Sequence, residues 1–124
     1  MATGGRKTQL QVVHEISAQF GFGQTSGVIG VLPAGAVLGT THLLVSQVWN
    51  GTTNTLAVGT TPGGAQLLAA TDLKTLARVD TPVPFAAAGP LGVDTPIYGT
   101  IASTGGAPTT GVATVWLDYL AGPG

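Results

Sequence analysis

The chain has 124 residues, of which 44% are hydrophobic and only 7% charged, with a formal net charge of −1 and no cysteine. That length suits one domain with a real core, and the missing cysteines exclude disulfides and thiolate metal sites. Four cations, Arg6, Lys7, Lys74 and Arg78, are too few for a nucleic-acid footprint, and no apolar run suffices for a signal peptide or a membrane span, so neither nucleic acid nor membrane is expected as a partner and synthesis in the cytoplasm is.

Twenty glycines and eight prolines, spread between short apolar runs, mark the turns of an all-β domain. Residues 1–8 read as an N-terminal arm, 9–120 as the domain and 121–124 as a tail. From Thr8 to Ser17 the chain alternates, with Leu10, Val12, His14 and Ile16 on one side, which predicts a half-buried first strand. Phe20-Gly21-Phe22-Gly23 then breaks the pattern, either as a corner with two buried rings or as an exposed aromatic contact. Ser26 to Leu32 is a short strand, and Pro33-Ala34-Gly35 a turn.

The stretch LGTTHLLVSQVWNGTTNTLAVGT, Leu38 to Thr60, reads as a hairpin about Asn50-Gly51, a dipeptide suited to a type I′ turn. A two-residue turn sets Trp49 opposite Thr52, Val45 opposite Leu56 and His42 opposite Gly59, whereas a longer loop, NGTTN, would shift this register and turn the side chains over. After the loop Thr61-Pro62-Gly63-Gly64, residues Ala65 to Arg78 have the only helical character, enough for one or two short turns. Val79 to Pro90, with three prolines, is an extended edge or arm, because proline cannot donate to a ladder. Asp94 to Ser103 is a strand with Ile97 and Ile101 on one face. Val112 to Leu120 is another, with Val115, Leu117 and Tyr119 on one side and Thr114, Trp116 and Asp118 on the other. Six or seven strands without βαβ alternation make an antiparallel two-sheet β-sandwich.

Catalytic chemistry finds little footing. His14 and His42 are the bases available near neutral pH, and no serine lies in a nucleophile elbow. Asp80-Thr81-Pro82 and Asp94-Thr95-Pro96 read as turn caps, and no pair of acids or histidines has metal-ligand spacing. Neither an enzyme nor a cofactor or metal is expected. So few charges suggest instead that much of the surface is hidden in an assembly. Tryptophan is enriched at interface centres: Trp116 shares its face with Thr114 and Asp118 and tilts toward an interface, while Trp49 suits the core or an interface equally.

LPAGAVL, then VWNGTTNTLAVGTTPGG, then GVDTPIYGTIASTGGAPTTGVATVWLDYL, in this order and spacing over most of residues 28 to 120, resemble the small β-sandwich decoration (cement) proteins of tailed-bacteriophage heads. The resemblance implies a jelly-roll-like sandwich that forms homodimers or homotrimers on the outer face of the virion and clamps neighbouring major capsid subunits. In that setting the arm with Arg6 and Lys7, and the proline-rich segment with Pro82, Pro84 and Phe85, are the parts expected to reach neighbouring chains. Two other classes fit the composition: a tail-fibre or receptor-binding β module that recognises a cell-surface glycan, for which Tyr98 could serve, and an enzymatic sandwich with Asp94 and Asp118 converging.

Overall fold

Eight strands carry the period-2 alternation in a computed structural model of the chain, which describes residues 13–120. They are β1 (Val13–Gly21), β2 (Ser26–Leu32), β3 (Val37–Gln47), β4 (Thr53–Gly59), β5 (Leu68–Asp72), β6 (Ala77–Pro82), β7 (Thr95–Thr104) and β8 (Val112–Leu120). Two four-stranded antiparallel sheets result, with strand orders β1-β8-β3-β6 and β2-β7-β4-β5. Only the β4–β5 connection stays within a sheet; every other one crosses to the opposite sheet. This is the winding of a jelly roll, and the expected antiparallel sandwich is observed.

Alternation decides which side of each sheet faces inward. Leu43, Val45, Ala113, Val115 and Leu117 line one sheet, and Ile29, Leu32, Leu56, Val58, Ile97 and Ile101 line the other, all buried. Each large aliphatic side chain so buried contributes about 1.5–3 kcal/mol relative to exposure. Phe20 is 1% exposed whereas Phe22 is 47% exposed, so the two aromatics of FGFG part company: one fills the core and the other stands at the surface.

The connections gather at two ends. At one end the β3–β4 crossover meets the β5–β6 turn through Trp49 N–H donating to Leu73 O (3.1 Å), and meets the strand β7 terminus through Thr52 N–H donating to Thr104 O (3.0 Å). At the other, the β2–β3 turn is tied to the β6–β7 loop by Gly35 N–H to Leu91 O (2.6 Å), Leu91 N–H to Ala36 O (3.0 Å) and Leu38 N–H to Ala88 O (2.8 Å).

Two expectations are corrected. Leu38 to Thr60 is not a hairpin, because β3 and β4 belong to different sheets and never pair. Asn50-Gly51 serves the crossover instead. The Asn50 side chain receives Thr109 N–H (2.8 Å) and donates to Thr109 Oγ1 (2.8 Å), pinning the β7–β8 loop. Gly51 N–H donates to the buried Asn54 Oδ1 (2.7 Å), and a Cβ on Gly51 would lie 2.8 Å from that amide. Nor do residues 65–78 coil. Leu67 N–H donates to Val58 O (3.0 Å) and Leu73 N–H to Asn54 O (2.9 Å), so strand β4 claims the backbone that helix propensity favoured. Among the described residues the one helical turn is the 3₁₀ turn Phe85–Ala87. Val79 to Pro90 behaves as expected of an edge: β6 borders its sheet and ends at Pro82.

Candidate interaction surfaces

The outer face of the β1-β8-β3-β6 sheet gathers four of the seven charged residues among those described, Glu15, Arg78, Asp80 and Asp118. Pairing sets Ser17, Trp116, His42 and Asp80 in one row across the four strands, with Glu15 opposite Asp118 in the next. His42 is held on both sides: Nδ1 lies 2.5 Å from Asp80 Oδ1 and Nε2 lies 2.7 Å from Asp118 Oδ2. Carboxylates only accept, so both nitrogens must donate and the ring is an imidazolium. It stacks on the Trp116 indole at 5.0 Å with 13° between planes. Arg78 completes the group, with its guanidinium 5.4 Å from the Trp116 ring centre and Nε 3.1 Å from Asp80 Oδ1.

The electrostatics follow from that geometry. Burial of the ring opposes its charge, but the bonds to Asp80 and Asp118 outweigh it and hold His42 above its ordinary value of 6.5. The His42 bond, helped by Arg78, keeps Asp80 below its ordinary 3.8. Glu15 is pushed above its ordinary 4.5, first by sharing a hydrogen bond with Asp118. While it is an imidazolium, the ring donates from both nitrogens and has no lone pair with which to abstract a proton. Among the described residues no group of three or more His, Asp or Glu is placed to hold a metal ion.

The outer face of the β2-β7-β4-β5 sheet is the opposite in character. Thr53, Thr55 and Ala57 stand beside Thr104, Ala102 and Thr100, with Val28 beside Tyr98, and Asp72 at the edge is the charged residue of these strands.

The sequence-predicted residues are dispersed. Trp49 is 1% exposed, so it belongs to the core and not to an interface. It packs on Gly111, whose φ of 143° and whose distance of 2.5 Å from a built Cβ to the indole both demand glycine there. Trp116 lies at the centre of the charged face, half-buried between His42 and Arg78. Pro82 and Pro84 are exposed beside Phe85, which is 97% exposed on its 3₁₀ turn. Arg6 and Lys7 lie outside the described residues. Asp80 and Asp94 do not cap their own turns: Asp80 binds His42, and Asp94 accepts from Ala34 N–H at 2.9 Å. Asp94 lies in the β6–β7 loop and Asp118 on β8, and each has its own partner, Ala34 N–H for the first and His42 for the second. The role of His42 escaped the sequence reading, since its partners come from residues 38 and 76 positions away; the signal available was that His42, Trp116 and Asp118 each occupy outward positions of strands.

No protein-family model matches the chain, and no curated protein matches it in sequence. Its fold does match solved structures. A chain in the capsid asymmetric unit of cyanophage Pam1 is similar over 90% of this chain and 86% of its own length, with a TM-score of 0.68 and 19% identity. A chain in the capsid of Ralstonia phage GP4 is similar over 92% of this chain and 86% of its own, with a TM-score of 0.54 and 19% identity. At this identity what is shared is the fold, a jelly-roll sandwich that both phage capsids contain.

Proposed function

We propose that this chain is a structural virion protein that decorates the exterior of a tailed-phage capsid, as a homodimer or homotrimer, and stabilises it by bridging major capsid subunits. The observation that carries this is the fold, shared over nine-tenths of the chain with chains of two phage capsids. The composition supports it: with 7% charged residues, the chain has a surface suited to contact more than to free solution. A protein that binds the assembled shell and not its separated subunits stabilises the shell by mass action, so many modest contacts suffice. Phe85, fully presented beside Pro82 and Pro84, is the natural anchor on the chain's side, and Arg6 and Lys7 are the candidate ion-pair partners in the arm.

The test is copy number in the purified particle, measured by mass spectrometry against the major shell protein. A ratio near one, or a simple fraction of it, is expected. A handful of copies would place the chain at a tail or vertex, and absence would end the proposal. Phe85→Ser should leave folding intact and weaken attachment to shells by about tenfold or more.

A further inference from the structure

Where the β1–β2 and β7–β8 connections meet, the end opposite Phe85 holds a cleft of about 480 Å³. One wall is Phe22, Gln24 and Thr25, the other Ser103, Thr104 and Pro108. None of the lining residues is charged. Phe22 is the exposed member of the FGFG pair, at 47%, and its own core has no use for it. The polar groups around the ring are set in place by bonds that leave hydrogens to give. Gln24 Oε1 accepts from Gly21 N–H (2.7 Å), which fixes the side chain and leaves its NH₂ to donate. Ser103 Oγ accepts from the buried Asn54 amide (2.8 Å) and keeps its own hydrogen. Glycines floor the space: a Cβ on Gly23 or on Gly106 would meet nothing within 4 Å.

We infer that this cleft binds a neutral saccharide. A sugar ring offers an apolar C–H face flanked by hydroxyls that both donate and accept, and the cleft answers with one aromatic face and a rim of uncharged amide and hydroxyl groups. An anionic or cationic ligand would lose hydration here with no opposite charge to replace it. The position adds to the argument, on the proposed reading of the function. If the Phe85 end faces the shell, this end faces the medium, where glycans of host surfaces are met.

The experiment is an NMR titration of the full chain with neutral oligosaccharides of glucose, galactose and N-acetylglucosamine, with a sialylated sugar alongside. Shifts confined to residues 22–25 and 103–108 are expected for a neutral sugar. Phe22→Ala should weaken binding by about tenfold through the lost ring face, and Gly23→Gln should occlude the cleft while leaving the rest of the spectrum unchanged. No shift with any neutral sugar at a few millimolar, shifts elsewhere, preference for the sialylated sugar, or unaltered binding by Phe22→Ala would each overturn the inference. Shell attachment is measured on the same variants. Phe22→Ala that attaches normally agrees with the assigned polarity, whereas loss of attachment would make this end the shell contact and overturn the saccharide site. Sugar binding by a chain absent from capsids would sink the decoration reading and leave the cleft standing.

Discussion

On the outside of the β1-β8-β3-β6 sheet stand Glu15, His42, Arg78, Asp80, Trp116 and Asp118, whereas the outside of the β2-β7-β4-β5 sheet presents Val28, Thr53, Thr55, Ala57, Tyr98 and Thr100. The inner faces of the two sheets are alike, aliphatic and buried. Charge poverty in this chain is therefore not uniform: three of its five acids share one face with His42 and Arg78. The first face is cross-linked by its own side chains, strand to strand. The second has one uncharged side-chain link between strands, Thr53 Oγ1 to Thr104 Oγ1 (2.5 Å), and otherwise rests on its backbone ladder and on what lies beneath it.

The core sets the scale for breaking that comparison. Leu43→Ala under the first face and Leu56→Ala under the second should each cost about 2–5 kcal/mol in urea unfolding, because both side chains are 0% exposed. A cost below about 1 kcal/mol at either would mean the two sheets do not share one core. The faces themselves should separate at the next level. His42→Ala removes the cation between two carboxylates and is expected to cost about 1–2 kcal/mol, while Thr55→Val on the neutral face should stay within about 0.5 kcal/mol. Equal effects would erase the distinction between the faces.

The finest probe is pH. His42 is raised above 6.5, so the stability from its two bonds is complete below that value and fades as pH rises through the higher folded value. Asp80 is lowered below 3.8, so its share is present above 3.8 and fades as pH falls through the folded value. Glu15, raised above 4.5, runs the other way and favours the fold as it gains its proton. The urea midpoint should accordingly be higher near pH 5.5 than near pH 8.5, and His42→Gln should flatten that slope. A slope that survives the substitution would move the pH dependence to another group.

The elements most plainly written in the sequence are those whose alternation is strict. Ile97 and Ile101 in β7, and Val115 and Leu117 in β8, fall inward as read, because a half-buried strand leaves that trace whatever its neighbours are. Pairing leaves no such trace. Asn50-Gly51 is a strong local hairpin signal, yet the chain uses Asn50 to hold Thr109 and Gly51 to reach Asn54, both dictated by strands far along the sequence. The leucines of residues 65–78 carry a helical spacing that β4 overrides. The charged face was half visible, since Trp116 and Asp118 were placed together on one side of β8, but a misread hairpin set His42 opposite Gly59 instead of between Asp80 and Asp118. Phe85 is legible as part of a proline-rich edge; its full exposure comes with a short 3₁₀ turn, closed by Ala87 N–H to Pro84 O, that the extended reading of this segment does not include.

The strand orders also decide when this protein can fold. In one sheet β8 lies between β1 and β3, and in the other β7 lies between β2 and β4. The two strands at the heart of the sandwich are thus the last of the described strands to leave the ribosome. Until they emerge only the β3–β6 and β4–β5 pairs can form; β1 and β2 have no partner, and the other edges of β3 and β4 stay open. Folding is then a late, collective event governed by long-range contacts, slow in the millisecond-to-second sense that such topologies impose. A nascent chain stalled before Val112 would expose β1 and β3 to pairing with its neighbours on the same message.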